Sequence, residues 1–279
     1  MRRRVPVVAA LAGWLLLTAA PAPAPAQDLT LDGALSQGGL VYGRTLPGTE
    51  VWLDGRPVRV GADGRFLLGF GRDAAPEALL DLTLPDGSRA RRTLSIEQRA
   101  YDIQRVDGLP QEKVTPPEEV LARIAAEQAM VEEVRKVDRP EPWFETGFVW
   151  PVVGPISGIY GSQRILNGEP RWPHYGVDVA APEGTPVVAP ADGLVVLVHG
   201  DMYYSGGTVV LDHGFGLTSA YLHLKEISVE EGQTLRQGDR LGSVGATGRV
   251  TGAHLDWRFN WFDERLDPVL IAGPMPETP

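Results

Sequence analysis

The chain has no cysteine. That excludes a thiolate metal centre, a disulfide framework and a thiol-borne lipid anchor, so any metal must sit on His, Asp and Glu. Basic charge is scarce as well. Lys and Arg number 26 against 36 Asp and Glu, a formal net charge of -10 at pH 7, which argues against nucleic acid or anionic lipid as a partner. There is no phosphate-binding glycine loop and no Gly-x-Ser-x-Gly elbow, so nucleotide and serine-hydrolase chemistry have no support. The one long apolar run, Val5 to Ala20, follows Arg2-Arg3-Arg4 and precedes Pro-Ala repeats ending Ala24-Pro25-Ala26. It is short for a membrane span and has the pattern of a secretory signal peptide. Cleavage is expected before Gln27, taking the formal charge from -10 to -13 and leaving an exported chain, in the periplasm or cell envelope, with no integral membrane segment.

What remains is long enough for two modest domains with ordinary hydrophobic content, 43%. Over residues 27–100, short apolar runs such as Gly39–Gly43, Val51–Gly55, Arg65–Phe70 and Leu79–Leu84 are punctuated by Asp54-Gly55, Asp63-Gly64 and Asp86-Gly87. These are strand and hairpin signals, and they predict a small antiparallel β-sandwich. Residues 101–142 read as a linker with one helix over about 116–136. Thr115 is expected to cap it, Pro116 to open its first turn, and Glu118 to close the capping box. Val120, Ile124, Val131 and Val134 share a face, while Glu118, Glu119, Glu127, Glu132, Glu133, Arg135 and Lys136 occupy the others. The helix reads as a packing strut, and it or the sandwich could dock a protein partner. Residues 143–274 are again β-patterned, with runs at Val187–Ala189, Leu194–Val198, Thr208–Leu211, Thr218–Leu224, Arg240–Val244 and His254–Trp261; 275–279 form a tail. The fold class is therefore all-β with a single linker helix.

All five histidines lie in that C-terminal part. His199 and His213 sit at strand ends and read as turn-bonding or solvent-facing. In His254–Trp261 the alternation places Leu255, Trp257 and Phe259 on one face and His254, Asp256, Arg258 and Asn260 on the other. His254 and Asp256 can thus address one cleft, unless Asp256 merely pairs with Arg258. In Ser219–Leu224 the same rule sets Tyr221 and His223 opposite Ala220, Leu222 and Leu224, so His223 could reach that cleft. His174 and Asp178 stand in a Gly- and Pro-rich stretch, Pro173–Pro182, where a His-x3-Asp spacing alone says little.

Taken in order, His174-x3-Asp178, Ala-Ala-Pro-x-Gly-Thr-Pro-Val-x-Ala-Pro, Tyr221-x-His223-Leu and Gly245-x-Thr-Gly-x-x-Thr-Gly-x-His254-Leu-x-Trp resemble the lysostaphin/LytM-type zinc endopeptidases of bacterial cell walls. The resemblance runs from about Val149 to Pro268. It implies a LytM-type antiparallel sheet, one Zn2+ ion held by His174 and Asp178, catalytic His223 and His254 that orient water and steady the tetrahedral intermediate, and peptidoglycan stem peptides as substrate. The chain departs from the family at Asp256, where a His-x-His motif usually supplies the third ligand. Aspartate ligates zinc too, and its Oδ lies one bond beyond Cγ, as does the near imidazole nitrogen. Two carboxylates would leave the zinc and its ligands formally neutral, so slower chemistry is expected than at a site of charge +1. Two readings follow: an exported zinc metalloendopeptidase, or a catalytically degenerate domain that binds cell wall or regulates another wall hydrolase.

Overall fold

The computed structural model of the protein describes residues 29–107 and 115–276. The leader read over 1–26 and the end of the tail lie outside them. No helix among the described residues is long and apolar enough to cross a membrane.

The chain is nearly all β. Strands β1 (Thr30–Gly33), β2 (Leu40–Arg44), β3 (Glu50–Leu53), β4 (Arg56–Val58), β5 (Arg65–Gly69), β6 (Glu77–Thr83) and β7 (Arg89–Ser95) form two antiparallel sheets, ordered β1-β2-β5 and β4-β3-β6-β7. Asp54-Gly55 makes the two-residue turn between β3 and β4, with both residues at positive φ (49° and 81°), the conformation that matches the twist of a hairpin. Leu80 and Leu82 of β6 turn inward while Leu79, at 40% exposure, turns out, the period-two pattern of a half-buried strand.

Strand β8 (Ile103–Val106) and helix α1 (Glu118–Arg135) lead into the second part, a 3-10 turn at Trp143–Thr146 followed by further strands. These are β9 (Ile156–Gly158), β10 (Gln163–Leu166), β11 (Glu169–Pro170), β12 (Val177–Ala180), β13 (Pro186–Val188), β14 (Gly193–Met202) and β15 (Gly206–Asp212). They continue through β16 (Leu217–Leu224), β17 (Glu226–Ile227), β18 (Thr234–Leu235), β19 (Arg240–Ser243), β20 (His254–Trp261) and β21 (Glu264–Leu266), and helix α2 (Pro268–Ala272) closes the chain. The main sheet is ordered β18-β14-β15-β16-β20-β12-β9, with β21 also paired to β20. One face carries the core: Val177, Val179, Val209, Leu211, Tyr221, Leu255, Trp257 and Phe259 are all 0% exposed. That core is continuous with the N-terminal sandwich. Phe144 stacks edge-on against Phe215 and tilts against Tyr42, Arg56 lies over Trp261, and Arg99 pairs with buried Asp267 at 2.9 Å.

The opposite face of the sheet receives α1. Val131 and Val134 pack on Leu197, Met202, Val210, Ala220 and Leu222, so the apolar stripe is a packing face. The expected threonine cap does not form. Pro117 is the N-cap, extended at ψ 151° with no side-chain capping bond, because a residue before proline is steered out of the helical region and Pro116 therefore cannot begin the helix. Thr115, two residues too early, accepts from Arg171 instead. Glu127 is a second correction. It is buried, taking the Tyr203 N–H at 2.8 Å and Arg123 at 2.6 Å.

His213 is neither solvent-facing nor a turn ligand. It is 0% exposed, held by Asp192 O and Ser219 Oγ, each at 2.7 Å. Burial pushes its pKa down to about 4, and burial pushes neighbouring Asp212 up to about 6 despite the Gly214 N–H and Arg139. Between these values the unfolded chain carries a proton on His213 that the folded chain lacks. The folded chain carries one on Asp212 that the unfolded chain lacks. The two pH slopes oppose each other and nearly cancel. Asp212→Asn removes one of them, so its stability should rise with pH by about 3 kcal/mol between pH 4 and 6.5 relative to the wild-type profile. Urea unfolding of both proteins across that range checks it, and parallel profiles would contradict it.

Candidate metal centre

Strand β12 supplies Asp178 and strand β20 supplies Asp256, and the two residues are direct cross-strand partners. Facing pairs on one side of an antiparallel ladder bring side chains together, so the register delivers two carboxylates to one point. His174, in the loop before β12, completes the group. Its Nε2 lies 3.0 Å from Asp178 Oδ1 and 3.5 Å from Asp256 Oδ2, and one donor atom from each of the three residues falls within 4.8 Å of the others. His174 Nε2 and Asp178 Oδ1 are buried and, although close, are not aligned as a hydrogen bond. Two polar atoms facing one point without bonding each other are what a bound cation would satisfy. Donors sharing a tetrahedral ion at about 2.0–2.1 Å stand about 3.3 Å apart, which the two separations bracket.

The imidazoles are set for the same purpose. His174 Nδ1 faces Ile159 O at 3.3 Å, His223 Nδ1 faces Thr247 O at 2.9 Å, and His254 Nδ1 faces Gly252 O at 2.8 Å. A carbonyl only accepts, so each Nδ1 carries the hydrogen and each neutral ring keeps its lone pair on Nε2. The His223 and His254 rings lie 4.9 Å apart, and His254 Nε2 is 3.7 Å from Asp178 Oδ1. Burial lowers the pKa of His223, favouring the neutral ring that accepts a proton. At His174 burial also acts downward, but the carboxylates of Asp256 and Asp178 outweigh it and raise the pKa. This is a point that attracts positive charge.

His223 reaches the site by a different route from the one alternation predicts. Tyr221 belongs to the main core, and Leu222 and Ala220 lie on the opposite face, aligned with Asp256 and Arg258. Regular pleating would bury His223 in the core. It escapes because its φ is +65°, beside a register shift in the β15–β16 pairing. A left-handed non-glycine residue costs roughly 1–2 kcal/mol, and such outliers gather at functional sites.

Asp256 does pair with Arg258, through Nε to Oδ1 at 2.9 Å and Nη2 to Oδ2 at 2.5 Å, while still facing His174. Burial would raise its pKa, but Arg258 and His174 hold it well below the usual carboxylate range. Arg164 stands 3.5 Å from Asp178 Oδ2. Sequence reasoning missed two supporting glycines. A Cβ on Gly158 would meet Asp178 Oδ2 at 2.2 Å, and one on Gly176 would meet Asp256 Oδ1 at 2.4 Å and Arg258 Cγ at 2.6 Å. Gly176→Ala should therefore displace the Asp256–Arg258 pair and destabilise the fold by about 1–3 kcal/mol. An unchanged denaturation midpoint would show that the site has room to spare.

Residues 172–268 match the model of peptidase family M23. A putative peptidase M23 from Pseudomonas aeruginosa is 30% identical, with a TM-score of 0.67 over 85% of this chain and 95% of that one. The chain belongs to peptidase family M23. Among curated relatives, the peptidoglycan DD-endopeptidase ShyA of Vibrio cholerae is 47% identical over 103 residues, 37% of this chain and 24% of its own. The DD-carboxypeptidase/endopeptidase Mpg of Neisseria meningitidis is 42% identical over 104 residues, again 37% and 24%. The matched segment thus spans about a quarter of the length of these relatives. The family-matched residues 172–268 contain His174, Asp178, His223, His254 and Asp256.

Proposed function

We propose that this M23 chain is an exported zinc metalloendopeptidase that cleaves peptide cross-links of peptidoglycan, with His174, Asp178 and Asp256 as ligands. The observation that carries the reading is the convergence of the His174 and His254 Nε2 atoms on two carboxylates where β12 pairs with β20, with the His223 ring 4.9 Å from that of His254. A bound zinc supplies Lewis acidity toward the scissile carbonyl and a water of lowered pKa. The chain supplies the rest. His174 and the two aspartates fix the ion's place. His223 and His254 hold and move the proton at Nε2, between attacking water and leaving amine. Their backbone-carbonyl bonds keep the tautomer fixed while they do so. Arg258 offsets the second acidic ligand, which leaves the loaded cluster at +1 rather than neutral. The relatives named as DD-endopeptidases and a DD-carboxypeptidase/endopeptidase support a peptidoglycan substrate.

A second reading, a domain that binds cell wall or regulates another hydrolase without cleaving, is favoured by one observation: Arg258 already occupies both oxygens of Asp256. Muropeptide release from purified sacculi decides between them. The peptidase reading expects soluble muropeptides from the zinc-loaded wild type and none from His174→Ala. Release that appears only in Asp256→His would establish the second reading.

A further inference from the structure

Three arginines gather on the face of the main sheet that carries the candidate centre. Arg258 lies two residues beyond Asp256 in β20, directly across from Ala220. Arg265 lies in β21 across from Asn260, and residues two apart on a strand share a face, so Arg258, Asn260 and Arg265 are neighbours. Arg135 comes from the last turn of α1. Val131 and Val134 of that helix pack on Ala220 and Leu222, which sets Arg135 over the same patch.

Among the described residues only one of the three has a carboxylate in ion-pair contact. Arg258 clasps Asp256 and is a quarter exposed along its side chain. Arg265 stacks over Tyr175, 5.3 Å from the ring, and Tyr175 adjoins His174. Arg135 is 8% exposed, and its Nε is buried with no hydrogen-bond partner. Among the described residues neither Arg135 nor Arg265 has an ion pair, whereas Arg258, Arg123 and Arg139 do. A buried charge without a contacting counter-ion is costly to a fold. Burial first, then the fields of Arg265 and Arg258, pull the Arg135 guanidinium well below its usual range, and the carboxylate of Glu132 offsets them only in part. Arg265 is lowered by burial and by Arg258 in turn. A guanidinium does not give up its proton inside a protein, so this cluster calls for an anion.

We propose that Arg135, Arg265 and the remaining donors of Arg258 form a carboxylate-binding pocket beside the His174–Asp178–Asp256 cluster, which takes a carboxylate of the peptide substrate. The planar guanidinium fork matches a carboxylate in two parallel bonds, and a pocket next to the ligands would fix which end of a peptide enters the cleft. As a substrate subsite it rests on the peptidase reading; as an anion pocket it does not. The test therefore uses the metal-free, full-length mature protein and reads binding rather than turnover.

N-acetyl-glycyl-glycine and its C-terminal amide are titrated by calorimetry and by NMR, with inorganic phosphate as a third probe. The acid is expected to bind and the amide not. Arg135→Gln should weaken the acid by about tenfold or more. It should also raise the melting temperature of the ligand-free protein by a few degrees, because a neutral amide replaces a buried cation with no contacting counter-ion. Arg265→Gln, which leaves α1 untouched, should weaken the acid similarly. Equal binding of acid and amide would overturn the pocket, as would Arg135→Gln that melts lower and binds unchanged. Phosphate displacing the acid at equal concentration would assign the pocket to free oxyanions and overturn the substrate assignment. Muropeptide release by a protein that shows no acid selectivity would sink the pocket while leaving the peptidase reading in place.

Discussion

His174→Ala is expected to abolish muropeptide release and to weaken zinc binding by more than the roughly 10- to 100-fold typical of losing an outer-shell partner. His174 is the one ligand whose donor atom touches both carboxylates, at 3.0 and 3.5 Å, so its removal takes away the corner that joins them. Asp256 would keep Arg258 and Asp178 would keep Arg164, and the fold should survive because the ring packs in a loop rather than in the main core. Zinc content after dialysis and circular dichroism separate lost ligation from lost structure. The same two carboxylates that raise the proton affinity of His174 also attract the metal. Proton and metal compete for Nε2, so zinc affinity should fall as pH is lowered. Full activity in His174→Ala would remove this residue from the centre.

Alanine at His254 or at His223 should lower kcat by about 10²–10⁴-fold, the usual contribution of a positioned acid–base group, with zinc retained at wild-type stoichiometry. Neither residue is needed to hold the ion, so KM should change little and the loss should sit in the chemical step. His223→Ala carries an additional signature. Alanine is strained at φ +65° as histidine is, whereas His223→Gly relieves that strain. The glycine variant should be inactive yet at least as stable as the alanine variant, a difference thermal unfolding reads directly. Loss of zinc in either histidine variant would contradict the division of labour between ligands and proton carriers.

Much of the site was legible in the sequence because it rests on two short-range rules. Strand alternation in His254–Trp261 placed Leu255, Trp257 and Phe259 in the core and His254 and Asp256 on the other face, and the structure agrees. In the N-terminal part the apolar runs located β2, β3, β5 and β6, and Asp54-Gly55 and Asp86-Gly87 mark hairpin turns, whereas Asp63-Gly64 joins β4 to β5, which belong to different sheets. The same rule misplaced Tyr221 and Leu222, because a positive φ at His223 resets the phase of the strand and no local residue preference announces it. His213 looked like a turn residue because its partners, Asp192 and Ser219, are brought to it by tertiary folding. Gly158 and Gly176 gave no signal at all, since their role is to make room for carboxylates that arrive from other strands. The β12 strand itself was hidden in a Gly- and Pro-rich stretch and is defined by its pairing with β20 and β9. Arg258 was visible only as a possible rival for Asp256, and the structure has it holding that carboxylate while the carboxylate still faces His174.

We place one ion on a single imidazole and two carboxylates. Zinc-edge X-ray absorption on the loaded, full-length protein, combined with elemental analysis, tests it most directly. One zinc per chain is expected, in a shell dominated by oxygen with a single imidazole at about 2.0–2.1 Å. A protein that takes up no zinc, or one whose zinc is bound by two or more imidazoles, would contradict it.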